Sequence, residues 1–208
     1  RALAIKEQVL GPDHPDVASV LNNLGVLERD AGDLAAAVVA HERALDIRLR
    51  TLGPDHPEIA SSRMNLGNVL LDAGEYERAS AYFESAVAVL RRNPGLESEL
   101  AMALYNLAVC YHLRGEYLRA LPIYEEARTR DEALYGAEHP KTSFSLHGLG
   151  VAMVELGRLD DKGAFTSDQV VEIGKPFLDL GLFVDAKGGV WILYGDATVA
   201  FLERRACP

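Results

Sequence analysis

The strongest constraint on the fold is a period. Leu-Gly-Pro-Asp-His-Pro stands at residues 10–15 and again at 52–57, and Gly32, Gly74, Gly115 and Gly157 follow one another at intervals of 42, 41 and 42 residues. The segments ahead of these glycines align in step: Asn22-Asn23-Leu24-Gly25, Met64-Asn65-Leu66-Gly67, Tyr105-Asn106-Leu107-Ala108 and His147-Gly148-Leu149-Gly150. After the first three glycines a small residue returns at one offset, as Ala37, Ala79 and Ala120. A fixed period of this length implies a stack of like units, each too small to bury its apolar face alone.

Apolar residues recur at three- and four-residue spacing through 17–31 and 59–73, and again after the glycine through 35–49 and 76–90. Each period therefore reads as helix, tight glycine turn, helix, linker. The hexapeptide reads as that linker. Gly11 and Gly53 suit the left-handed position that closes a helix, and Pro12 and Pro54 cannot continue it. His14 and His56 precede a proline and are boundary residues, while Pro15 and Pro57 suit the first turn of the next helix. A fourth copy, Tyr135-Gly-Ala-Glu-His-Pro140, keeps the glycine, His139 and Pro140; the third, Arg92-Asn-Pro-Gly-Leu-Glu97, has no histidine. No serine, cysteine or further ligand accompanies the Asp–His pairs at a repeated offset, so a structural role is expected for them rather than catalysis or metal binding.

Tyr105-Asn-Leu-Ala-x-x-Tyr111, Gly115-x-Tyr117-x-x-Ala120 and Tyr124-x-x-Ala127 together resemble the tetratricopeptide repeat. The 42-residue spacing, with its "NNLG" and "LGPDHP", is similar to the long-linker class found in kinesin light chains. The resemblance covers residues 1 to about 161. It implies an all-α fold, a right-handed solenoid of antiparallel helix pairs. Arg1-Ala-Leu-Ala-Ile aligns with Arg43-Ala-Leu-Asp-Ile, so the chain is expected to open in the second helix of a preceding repeat, followed by about three full repeats and the start of a fourth. A longer parent array is the corresponding expectation. Apolar surface left at the N-terminal end would then drive self-association.

In this family the first helix of each repeat lines a concave groove that receives a peptide. The groove-facing candidates implied here are Asn22, Asn23 and Arg29; Met64, Asn65 and Asn68; Tyr105, Asn106 and His112; and Phe144 and His147. Asn23, Asn65 and Asn106 form a ladder of amides, able to pair with a peptide main chain whatever its side chains, or else to satisfy neighbouring helix ends. Members that grip a C-terminal carboxylate carry basic residues at positions corresponding to Met64, Phe144 and Gly148, so that clamp is incomplete here although Asn68 and Asn106 match. The expected ligand has apolar or aromatic anchors for Met64, Tyr105 and Phe144.

Charge narrows the partners. With 31 acidic and 21 basic residues the formal net charge is −10, which repels phosphate backbones and anionic lipid and favours a neutral or basic ligand. No nucleic acid and no membrane are expected: no apolar run reaches the roughly 18–20 residues of a spanning helix, and the N-terminal residues lack the layout of a signal peptide. The cytoplasm is the expected compartment. Cys110 and Cys207 fit neither a disulfide framework nor a zinc set.

Beyond Gly157 the pattern changes. Lys162-Gly163 stands where earlier copies have Ala-x, Thr166-Ser-Asp-Gln169 reads as a capping box for a short helix through Ile173, and 177–184, 190–194 and 197–202 read as the strands of a small β-meander. Residues 162–208 are expected to form a small β-rich appendage: a cap on the array, the start of a truncated second domain, or a tail not native to the array. No phosphate loop, nucleophile elbow, zinc motif or dinucleotide fingerprint is present, and Asp185, Asp196 and Glu203 are among the acids of the tail. The expectation is a non-enzymatic interaction scaffold with no cofactor and no metal. The alternative is a sensor or regulatory part of a larger enzyme or signalling protein.

Overall fold

The computed structural model describes residues 1–159 and, beyond them, four short strands. The helices are α1 (Ala2–Leu10), α2 (Pro15–Asp30), α3 (Leu34–Leu52), α4 (Pro57–Asp72), α5 (Tyr76–Leu90), α6 (Glu97–Leu113), α7 (Tyr117–Tyr135) and α8 (Pro140–Leu159). They form an all-helical repeat solenoid. The strands β1 (Val171–Glu172), β2 (Gly181–Val184), β3 (Val190–Tyr194) and β4 (Thr198–Phe201) pair antiparallel in that order. One expectation is corrected there. Within the short helix expected to run through Ile173, Val171 and Glu172 are extended and pair with Leu182 and Gly181, in keeping with the β-branched run Val170-Val171. Apart from these four strands, residues 160–208 lie outside the described residues.

The hexapeptide works through its glycine, its histidine and its aspartate. Gly53 has φ 82° and ψ 165°. That is not the left-handed helical position expected from the sequence but a mirror-image extended one, which only glycine adopts without strain. His56 then caps α4: its Nδ1 accepts the backbone N–H of Glu58 at 3.2 Å. His14 does the same for Asp16 of α2 at 3.1 Å, and His139 for Lys141 of α8 at 3.2 Å. An imidazole nitrogen here takes the place of the usual serine or aspartate oxygen, which requires the ring neutral with its proton on Nε2. The aspartates reach the other way. Asp13 pairs with Arg50 at 3.0 Å and Asp55 with Arg92 at 2.5 Å, in both cases 37 positions on.

Within the first two repeats the two helices meet at a glycine. A Cβ added at Gly67 would lie 2.8 Å from Cζ of Phe83, and one added at Gly25 would lie 2.7 Å from Nε2 of His41. The third repeat replaces this glycine by Ala108 and moves the gap to the next helix: a Cβ added at Gly148 would lie 2.5 Å from Cε1 of Tyr124. Phe83 and His41 are fully buried, and Tyr124 nearly so. One core, including Ile59, Leu66, Leu70 and Leu104, runs from α3 into α8, and a smaller cluster of Val17, Ala18, Leu21, Ala44 and Ile47 joins α2 to α3.

Successive repeats are matched by side chains one period apart. Lys6 of α1 meets Asp16 of α2 at 2.7 Å, and Arg48 of α3 meets Glu58 and Ser62 of α4 at 3.3 and 2.7 Å. At the third junction Leu90 replaces the cation and Glu99 is left half-buried, without an ion pair among the described residues. At the fourth the charges are exchanged: Asp131 of α7 accepts from Ser145 of α8 at 3.2 Å and lies in the field of Lys141, the counterpart of Glu58. Burial of Asp131 raises its carboxyl above the usual aspartate range, against the opposing pull of Ser145, Lys141 and His139.

Helix contacts also define an inside. α2 touches α4, α4 touches α6 and α6 touches α8, whereas α1, α3, α5 and α7 make no contacts with one another. The even-numbered helices therefore line the inner side of the curve.

Candidate functional site

Residues three, four and seven positions apart share a helix face, so each inner helix carries one solvent-facing stripe. Two amide pairs tie the stripes together. Nδ2 of Asn65 donates to Oδ1 of Asn22 at 2.8 Å, joining α4 to α2, and Nδ2 of Asn106 donates to Oδ1 of Asn68 at 3.0 Å, joining α6 to α4. Arg29 closes the same side through Nε to Asp72 at 2.5 Å. The ladder expected from the sequence is thus not a row of like amides. Asn65 and Asn106 reach back to a neighbouring helix, while Asn23 is exposed and makes no side-chain hydrogen bond among the described residues.

Each pair keeps half of its capacity. The NH2 groups of Asn22 and Asn68 and the carbonyl oxygens of Asn65 and Asn106 have no partner among the described residues, and none is buried away from solvent. A free donor group and a free acceptor thus stand at the α2–α4 and α4–α6 junctions.

The apolar candidates separate. Met64 is only 7% exposed and belongs to the core, so it offers no surface to a ligand. Its counterpart Tyr105 is half-buried with its ring 5.8 Å from that of Tyr124, and burial raises its phenol above the ordinary value. Phe144 is 61% exposed and His147 is exposed. His112 is half-buried, edge-on to Tyr117 at 5.2 Å, with Nδ1 buried and unpaired.

Met102 escaped the sequence reading. It is 44% exposed on α6, one turn ahead of Tyr105 and Asn106, at the position that Phe144 holds on α8. Its 42-residue distance from Phe144 was the available signal. Among the described residues no group of three His, Cys, Asp or Glu is placed to hold a metal ion, and no helix is long and apolar enough to cross a membrane.

The family model of the tetratricopeptide repeat matches residues 1–50, 17–92 and 99–161. The chain belongs to the tetratricopeptide repeat family. Tetratricopeptide repeats generally mediate protein–protein interactions, and this scaffold is typically non-catalytic. Among solved structures, the tetratricopeptide array is similar to a substituted form of a Podosopora anserina protein described as a kinesin light chain with nearly identical TPR-like repeats, with a TM-score of 0.67, 23% identity and 76% of each chain covered. A second structure of the same description, without the substitution, gives 0.66, 23% and 76% of each chain. BtubC (BKLC) from P. vanneervenii gives 0.67 at 21% identity, over 86% of this chain and 76% of that one. At these identities the likeness shows a shared fold. No curated protein sequence matches the tetratricopeptide chain significantly.

Proposed function

We propose that this tetratricopeptide array is a non-enzymatic scaffold that holds an extended segment of a partner protein along the inner faces of α2, α4, α6 and α8. The observation that carries this reading is the half-used amide pair at the α2–α4 and α4–α6 junctions. A free donor beside a free acceptor matches the alternation of a peptide main chain, and successive inner helices stand roughly 10 Å apart, about three extended residues. Phe144, Tyr105 and His147 supply the apolar and aromatic contacts, and the net charge of −10 favours a neutral or basic ligand. On this reading residues 1–161 are the binding array, and residues 162–208 are a small β-rich appendage to it, supported by the antiparallel order of β1 to β4.

The test is affinity capture from a source lysate with two baits, the wild-type chain and Asn65→Ala/Asn68→Ala/Asn106→Ala, read by mass spectrometry. Because that variant also unties the inner helices, Asn23→Ala, which removes an unengaged amide, is run beside it. Proteins held by the wild type and weakened by both variants support groove binding. Capture unchanged in both variants, or no capture by any bait, defeats it.

A further inference from the structure

We propose that the inner face is divided along its length and takes a bipartite segment, with bulky apolar residues over α6 and α8 and a lysine or arginine over α2. This rests on the groove reading above and adds the composition of its ligand.

The division begins one turn ahead of the asparagine stripe. The four counterparts there are Ser19, Ser61, Met102 and Phe144, and all are exposed. Two hydroxyls on α2 and α4 give way to two large apolar side chains on α6 and α8, 44% and 61% exposed on helices that touch. Bulky apolar groups left open on neighbouring helices are where a partner's anchor gains most on burial, whereas the stripe on α2 leaves open the smaller Val26, 40% exposed.

The far end of the same stripe passes from acidic to apolar between α2 and α6, while α8 carries Glu155 there. Its counterparts are Asp30 on α2, Asp72 on α4 and Leu113 on α6, and Leu113 is 47% exposed. Asp72 is already matched by Arg29, and Glu155, the fourth counterpart, is not free. Asp30 is exposed and makes no ion pair among the described residues. Its position in the last turn of α2, where the helix end is itself negative, strengthens its pull on a cation. The charge of the whole chain acts in the same direction.

Spacing follows from the frame. Met102 and Asp30 lie two inner helices apart, about 20 Å across the groove, and eleven helical positions apart along the axis, about 16 Å. The diagonal is about 26 Å, which an extended chain spans in about eight residues.

The experiment is selection of random 15-residue peptides displayed on phage against the full chain, followed by fluorescence anisotropy of recovered peptides. Recovered sequences are expected to pair Leu, Met, Phe or Trp with Lys or Arg about six to ten residues away. Met102→Ser/Phe144→Ser should weaken them about tenfold or more. Asp30→Lys should weaken them too, and replacing the peptide's cation by glutamate should restore binding to that variant alone. Peptides that lack the pairing, or that bind both variants as tightly as wild type, overturn the divided groove. If such peptides still lose affinity for Asn23→Ala/Asn65→Ala/Asn106→Ala, the groove reading stands while the division falls. If no peptide is recovered, both fall.

Discussion

Nδ1 of His56 accepts the backbone N–H of Glu58 at 3.2 Å, so a histidine performs the N-cap of α4. His56→Ala leaves that N–H without its side-chain acceptor and is expected to lower stability by about 1 kcal/mol. His56→Asp offers an oxygen at the same place and should recover most of it. Urea unfolding followed by circular dichroism measures both, and equal midpoints for wild type and His56→Ala would refute the capping role.

His41 fills the position that Phe83 and Tyr124 hold in the next repeats, and its Nδ1 is buried without a partner. Burial depresses its pKa below the ordinary 6.5, assisted by Arg29 and Arg48. The unfolded chain therefore takes up this proton more readily than the folded one. The stability contributed by the neutral ring is complete above the ordinary histidine value and is lost as pH falls through the depressed one. His41→Phe should raise the melting temperature, and the difference from wild type should widen between about pH 7.5 and about pH 5.5. A gap that stays constant across that range would contradict the assignment.

Gly67 and Gly148 serve one purpose at two different contacts. Gly67→Ala drives a methyl into the Phe83 ring, and Gly148→Asn drives an amide into Tyr124, although asparagine is the residue at this register position in all three earlier repeats. Each is expected to destabilise by about 1–3 kcal/mol. Gly150→Ala, where nothing lies within 4 Å, should change stability by less than about 1 kcal/mol. Thermal melts of the three variants compare them directly.

Cys110 is fully buried, and burial pushes its thiol pKa up to about 12. In a Cys207→Ser background a thiol reagent such as Ellman's should leave Cys110 unmodified until the array unfolds. The modification rate should then follow the unfolded fraction as urea is raised. Fast labelling in native buffer would show that the helices around Cys110 open far more readily than their packing implies.

The period carried most of the architecture, because glycines that close turns and alanines at close helix contacts cannot be exchanged freely within a stacked repeat. The cap role of the histidines was visible only as punctuation: imidazole is not a usual N-cap, and its use depends on the orientation of the ring beside the proline that opens the helix. The amide pairs were hidden for a different reason. Asn65 reaches Asn22 across 43 positions and Asn106 reaches Asn68 across 38, so neither contact falls on the period that aligned the residues. Met64 was misread as surface because the repeat aligns it with Asn22 and Tyr105, which are only half-buried, whereas its own side chain packs into the core.

The exchanged charges at the last junction make the repeats non-interchangeable. Arg48 suits Glu58, and Asp131 suits Ser145 and Lys141, so a splice that placed α8 directly after α3 would set Arg48 against Lys141. An engineer lengthening this array could copy the module from α3 to α4 end to end. The α7–α8 joint would have to be carried along intact, as a keyed coupling that accepts one neighbour.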